Sequence, residues 1–317
     1  MCYGHLVRAH GGTGRVLFGR GIDKTTMTQE YTQGLSNLVS QMWLIAAVGA
    51  SLPVAIVVLR RIGRWWLSDQ PIPPPAEGEP FVPWPAWFGL VLFVGMQLLM
   101  LVLAAGYQAA ADARLIPWEP LRIPDMFSPG IFLGQAVPPL VGLILVARFG
   151  RPGLGAAGVR WGATAKGLFQ GLLAFLTVLP VCFAGLLAGI VLMSLFRVPI
   201  EQHPLLETVQ TAHAPWVIAV ALFQAGVLAP LGEEFMYRGV LMTTLLRQMG
   251  ILGALVFSSA IFAVIHLPTE PQAVVPLFFL GLALGYVAYR TRSLVAPIAA
   301  HSLFNILMIA GAFLGGR

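Results

Sequence analysis

Long apolar stretches separated by short polar ones occupy most of the chain after residue 33. Eight can be marked, at about residues 35–59, 86–111, 129–147, 168–196, 215–249, 251–268, 274–290 and 294–314. An α-helix needs about 20 residues to cross a bilayer, and the strict alternation of membrane-spanning β-strands is absent. Because a backbone in lipid must pair its own polar groups, the pattern predicts an all-α integral membrane protein with about eight transmembrane helices.

The same pattern divides the chain into three parts. Residues 1–33 are polar and glycine-rich, and we expect a disordered N-terminal tail. Residues 34–164 contain three spans and a proline-rich linker at 68–85, which we expect to be extended and solvated because proline disfavours helix. Residues 165–317 contain the remaining five spans and form the C-terminal membrane domain.

The composition is that of a membrane protein. Hydrophobic residues make up 57% of the chain and charged residues 10%, whereas soluble domains carry roughly a quarter charged residues. The net charge of +6 lies mostly in loops between apolar runs, so we expect membrane lipid and no nucleic acid as a partner. Trp84 and Trp87 flank the second span, as aromatic anchors at a membrane surface do. The abundance of Ala, Gly, Arg and Pro indicates a bacterial source, and therefore the bacterial cytoplasmic membrane.

Five ionisable side chains lie inside the predicted spans, all in the C-terminal third: Glu233, Glu234, Arg238, His266 and His301. A charge at the centre of a bilayer costs roughly 2.5–3.5 kcal/mol on insertion scales, so such residues are candidates for function. A structural explanation also exists for part of the set. Glu234 and Arg238 are four positions apart and can neutralise each other on one helix face. Both glutamates also fit the first turn of a helix that begins near Pro230.

Helix lengths place four polar residues within reach of one another. The fifth and sixth spans meet in a tight turn at Met249–Gly250, with Glu233 16 positions before Met249 and His266 16 positions after Gly250. At 1.5 Å per residue, both lie about 24 Å from the turn. His301 and Asn305 are four positions apart in the eighth span and share one helix face. The sequence therefore predicts a C-terminal helical bundle that encloses an intramembrane polar site.

Three short motifs occur in order on successive apolar segments. "EEFMYRG" at 233–239 has the form EExxxR, "FAVIH" at 262–266 has the form FxxxH, and "HSLFN" at 301–305 has the form HxxxN. Each motif alone is weak, but the ordered set resembles the CPBP intramembrane proteases. That family comprises the CAAX prenyl endopeptidases and the bacterial bacteriocin-processing and immunity proteins. The resemblance covers about residues 165–315.

The resemblance implies an intramembrane endopeptidase that acts on a peptide or a membrane protein, with or without a lipid group. Glu233 and His266 would activate the water that attacks the peptide bond. His301 and Asn305 would stabilise the tetrahedral oxyanion. The supporting residues would be Glu234 and Arg238.

The same residue types also suit other chemistries. Carboxylate and imidazole are good zinc ligands, so a zinc-dependent protease would use Glu233, His266 and His301. A reaction without metal or other cofactor is favoured, because the chain has no HExxH motif and Asn305 is a poor zinc ligand. A cysteine nucleophile is not expected, since Cys182 is predicted to lie outside the cluster. Two further alternatives are a non-catalytic membrane immunity or scaffold protein and a transporter with an ion site at the membrane midplane.

Overall fold

The computed structural model describes residues 45–64, 84–113, 115, 127–150, 153–159, 164–197, 204–211 and 214–315. These residues form helices and turns, with no strand among them, so the predicted all-α class is confirmed. The predicted tail at 1–33 and the part of the predicted linker at 68–83 lie outside the described residues.

The described residues contain ten α-helices. They are α1 (Ile45–Arg64), α2 (Ala86–Asp112), α3 (Pro129–Phe149), α4 (Thr164–Leu195), α5 (Pro204–Thr211), α6 (Pro215–Phe223), α7 (Ala229–Glu234), α8 (Thr243–Val264), α9 (Val274–Thr291) and α10 (Val295–Gly315). Two π-helical stretches, Gln224–Leu228 and Phe235–Met242, join α6, α7 and α8 into one helical run. Short 3-10 turns occupy Leu154–Ala157 and Pro271–Ala273.

Within the described residues, seven helices are long and apolar enough to cross a membrane. The protein is therefore a multi-pass integral membrane protein. The helical run Pro215–Val264 is counted once among the seven, although its 50 residues are far more than a single crossing needs. That run contains both the fifth and the sixth predicted spans.

The helical run from Pro215 to Val264 folds back on itself at Gly250. Gly250 has φ 68° and ψ −176°, a backbone conformation that glycine adopts without steric cost. The ring of Tyr237, on one side of this turn, lies 5.2 Å from the ring of Phe262 on the other side. The predicted turn is therefore confirmed, and the run forms two antiparallel arms.

The C-terminal helices pack closely around this hairpin. α4 packs against α9 and α10, and α9 packs against α8. Gly281 and Gly285, spaced as GxxxG on α9, allow the approach to α8, because a Cβ on Gly281 would lie 2.9 Å from the Cβ of Ser259. The largest buried cluster runs through this bundle and includes Phe175, Leu280 and Leu284.

Helices α2 and α3 pack against each other and also contact the motif-bearing hairpin. Trp84, just before α2, is only 3% exposed, and its Nε1–H donates to the Thr244 hydroxyl at 3.0 Å. The prediction that Trp84 is a membrane-surface anchor at the end of a solvated linker is therefore wrong, whereas Trp87 is exposed. The indole N–H is satisfied inside the protein instead of at the lipid headgroups.

The short helix α5 was not predicted from the apolar pattern. It packs against α10, and its Leu205 and Val209 join a second buried cluster with Val217 and Ile309. Its large apolar residues are only Leu205, Leu206 and Val209, so this eight-residue sequence does not stand out beside the long apolar spans.

Candidate active site

A single cavity collects the four residues that the sequence predicts to be catalytic. It has a volume of about 440 Å³, and Glu233, His266, His301 and Asn305 all line it. The Glu233 side chain is 25% exposed, which leaves its carboxylate open to a small molecule. The hairpin at Gly250 brings the first two residues together, and α10 brings the other two.

The neighbouring glutamate, Glu234, has a different environment. Its side chain is completely buried, and its Oε1 accepts hydrogen bonds from Arg238 Nη1 at 2.9 Å and His301 Nδ1 at 2.8 Å. Arg238, itself 1% exposed, also donates through Nη2 to the carbonyl of Gly281 at 3.2 Å. Hydrogen bonds thus link the EExxxR motif to α9 and α10. The predicted i,i+4 pair of Glu234 and Arg238 is present.

His301 lies between the two glutamates. A carboxylate can only accept, so the imidazole Nδ1 carries the hydrogen that is donated to Glu234. The opposite nitrogen, Nε2, is 3.8 Å from Glu233 Oε2. One imidazole therefore connects the buried carboxylate to the carboxylate that lines the cavity.

His266 lies just beyond the end of α8, not inside a span that continues to residue 268 as predicted. Pro268 lacks an N–H and disfavours the helical conformation at Leu267, so the chain turns over 265–269. In this turn His266 Nδ1 is 2.7 Å from the carbonyl oxygen of Phe262. Since a carbonyl only accepts, Nδ1 carries the hydrogen and the neutral ring has its lone pair on Nε2.

Phe262 contacts most of the polar residues of the site. Its ring is fully buried, with its centroid 5.1 Å from the His266 ring and 5.8 Å from the His301 ring, both edge-to-face. The Arg238 guanidinium carbon lies 4.6 Å from the same centroid, within cation–π range. The phenylalanine of the FxxxH motif therefore fixes the orientation of both histidines.

A π-helical turn explains the contact made by Asn305. The N–H of Ala229 donates to the carbonyl of Gln224, five residues back, so it does not reach the carbonyl of Ala225. The next residue, Pro230, has no N–H to offer. Asn305 Nδ2 supplies the missing donor at 2.8 Å from the Ala225 oxygen. One N–H of the Asn305 amide is thus used inside the protein.

Two further features of the cavity were not anticipated. Cys182 lines the cavity wall, so the prediction that it lies outside the cluster is wrong; it is 2% exposed and its Sγ–H donates to the Pro276 carbonyl at 3.4 Å. Gln135 on α3 and Gln224 at the start of the π turn also line the cavity. Each is an isolated polar residue in an apolar stretch. Glutamine does not ionise, so a prediction based only on ionisable side chains does not include it.

The zinc alternative would require Glu233, His266 and His301 to converge on one ion. Within the part of the chain that the structure describes, no group of three or more His, Cys, Asp or Glu side chains is placed to hold a metal ion. Both histidines have their Nδ1 engaged, in His301 by Glu234 and in His266 by a main-chain carbonyl, so the nitrogen of each ring that is left to bind a water molecule or an ion is Nε2.

The match to known proteins falls on the helices that form this site. No curated protein and no solved structure matches the chain. A family model described as Rce1-like, type II CAAX prenyl endopeptidase, matches residues 215–307. The match begins at the first residue of α6 and ends two residues after Asn305, so it spans all three motifs. Over these residues, the chain is similar to the Rce1-like family of type II CAAX prenyl endopeptidases.

Proposed function

We propose that this protein is an intramembrane endopeptidase that hydrolyses a peptide bond with a water molecule activated by Glu233 and His266. The similarity of residues 215–307 to this family supports a protease, and therefore a hydrolase. The observation that carries the finer proposal is the contrast between a partly exposed Glu233 and a fully buried, doubly hydrogen-bonded Glu234 in the same motif. Only the first carboxylate is open to a water molecule in the cavity.

The proposed reaction uses Glu233 as general base. Its carboxylate accepts a proton from water while His266 Nε2, which carries the lone pair, accepts the second hydrogen bond of that water. The water oxygen attacks the carbonyl carbon of the substrate and forms a tetrahedral intermediate. When the C–N bond breaks, the proton held by Glu233 passes to the leaving amine, so the carboxylate is regenerated.

The proposed oxyanion donors are His301 and Asn305. Because His301 Nδ1–H donates to Glu234, donation to the oxyanion requires a proton on Nε2 as well, and hence the imidazolium form. The Asn305 amide has two N–H groups, and one donates to Ala225. The second is the proposed donor to the developing negative charge.

Glu234 and Arg238 act in this scheme as positioning residues. Arg238 holds the carboxylate of Glu234, and that carboxylate holds the ring of His301. The pair carries opposite charges in a buried place, so it supplies an anion beside His301 without leaving a lone charge in the core.

The proposed substrate is a membrane-embedded peptide with an apolar or lipid group next to the cleaved bond. Support for this comes from the apolar residues that line the same cavity, which include Leu179, Phe183, Leu186, Met308 and Ile309. An apolar wall favours an apolar ligand through the area that it removes from water.

The experiment that tests this proposal is comparative peptidomics of membranes from cells that make the wild-type protein or Glu233→Gln. We expect uncleaved precursor peptides to accumulate only with the variant, at equal protein abundance. Identical peptidomes would contradict the proposal and favour the non-catalytic immunity or scaffold alternative.

A further inference from the structure

Beyond the motif residues, three glutamines line the cavity: Gln135, Gln224 and Gln272. Gln135 lies on α3, outside the segment matched by the family model, and Gln224 begins the π turn that precedes α7. Both line the cavity together with Glu233 and Asn305. Gln224 is 2% exposed, so its amide is enclosed by the protein.

The side-chain oxygens of Gln135 and Gln224 lack hydrogen bonds. Both Oε1 atoms are buried, and neither has a partner among the described residues. A buried acceptor without a donor costs about 1–3 kcal/mol, so such groups are rare unless something else satisfies them. Two of them in one cavity indicate a ligand that brings its own donors.

The close approach of α3 to the backbone at Gly232 brings Gln135 near Glu233. Gly232 directly precedes Glu233, and a Cβ on Gly232 would lie 2.8 Å from Pro139 Cγ and 3.3 Å from the main-chain oxygen of Gln135. Only glycine leaves room for α3 at this point. Pro139 also has no N–H, so the main-chain carbonyl of Gln135 loses its helical donor four residues on.

We propose that Gln135 and Gln224 are substrate-binding residues that accept hydrogen bonds from main-chain N–H groups of the peptide on either side of the cleaved bond. The inference rests on the proposed endopeptidase function and adds the way in which the peptide is held. A peptide in the cavity offers main-chain N–H donors whatever its side chains are, which suits acceptors in an otherwise largely apolar wall. The N-terminal helices thereby contribute to substrate binding through α3.

The test uses the full-length protein in lipid nanodiscs and a farnesylated fluorogenic peptide that ends in Cys-aliphatic-aliphatic-X. Gln135→Met and Gln224→Met keep side-chain length but remove the acceptor. We expect KM to rise about three- to tenfold in each variant, with kcat changed less than twofold. The melting temperature without substrate should stay equal or rise, because an unsatisfied buried acceptor has been removed. Gln108→Met, on an exposed side chain of α2, is the matched control.

A second peptide makes the test specific to the proposed contact. Replacing a main-chain N–H by an ester oxygen at a peptide bond next to the cleaved one should raise KM for the wild type but not for the matching methionine variant. Unchanged KM values in both variants, or a fall in kcat together with a lower melting temperature, would overturn the role of the glutamines. If the wild-type protein neither binds nor cleaves the peptide, or if Glu233→Gln still cleaves it, the proposed function itself is wrong.

Discussion

Glu233 and Glu234 are adjacent in the sequence but belong to two different regions of the molecule. Glu233 is 25% exposed and belongs to the cavity face, which we define as Glu233, His266 and Asn305. Glu234 is fully buried and forms the buried ion pair with Arg238. Two consecutive residues of one helix therefore carry a carboxylate that water can reach and a carboxylate that water cannot reach.

The difference shows that a charged side chain inside a membrane protein can either be available for a reaction or stabilise the packing of helices. The buried ion pair joins α7, the second π stretch, α9 and α10 through hydrogen bonds to His301 and Gly281. The cavity face keeps a carboxylate and an imidazole nitrogen available. We therefore expect substitutions in the two regions to separate stability from activity.

Breaking the buried ion pair should have the largest effect on stability. In Arg238→Ala the carboxylate of Glu234 remains buried without its main partner, and the free energy of unfolding should fall by about 3–5 kcal/mol. Thermal unfolding in nanodiscs measures this. Arg247→Ala, an exposed arginine on α8, is the matched control and should change stability little.

Removing both charges at once sharpens the comparison. The double variant Glu234→Leu with Arg238→Met should be more stable than Arg238→Ala, because no lone charge stays buried. Its activity should still fall at least about tenfold, since His301 has lost the acceptor for its Nδ1–H. A double variant with wild-type activity would show that Glu234 does not position His301.

Asn305→Ala should combine a smaller loss of stability with a loss of activity. The Ala225 carbonyl loses its donor, at a cost of about 1–2 kcal/mol, and the proposed oxyanion donor disappears, so kcat should fall about 100-fold. Kinetics and melting curves on one preparation measure both, with Ile306→Ala as the control. A variant that is less stable but keeps kcat within threefold would show that Asn305 only stabilises the π turn through its hydrogen bond to Ala225.

Much of this site follows from the sequence because helix geometry is regular. The residues near Gly250 predict a hairpin, and equal distances from it predict that Glu233 and His266 lie at one level. The four-residue spacing places His301 and Asn305 on one face. Those predictions need only the rise of a helix, and the structure brings the four residues into one cavity.

The hydrogen-bond partners did not follow from the sequence, because they depend on tertiary packing and on irregular turns. The π turn before Pro230 exposes the Ala225 carbonyl, and nothing in the apolar pattern marks that shift. The contact from His301 to Glu234 depends on how α10 packs on the hairpin. The hydrogen-bond acceptor of Trp84, Thr244, lies 160 positions further along the chain. The local sequence does not reveal this partner, and it therefore predicts a membrane-surface position for Trp84.

The smallest expected effect is that of metal removal. Because no group of three or more His, Cys, Asp or Glu side chains is placed to hold a metal ion among the described residues, dialysis against a strong chelator should change kcat less than twofold. Peptide cleavage before and after dialysis, with elemental analysis of the protein, measures this. Loss of activity that returns on adding zinc would favour the zinc-dependent alternative.

The most direct test of the central claim is to measure peptide cleavage and thermal unfolding of Glu233→Gln in the same nanodisc preparation. Glu207→Gln, the same change on an exposed glutamate of α5, is the control. We predict that Glu233→Gln lowers kcat about 10²- to 10⁴-fold, because the general base is lost, with a melting temperature close to that of the wild type. A variant that folds normally and cleaves within threefold of the wild-type rate would contradict the account.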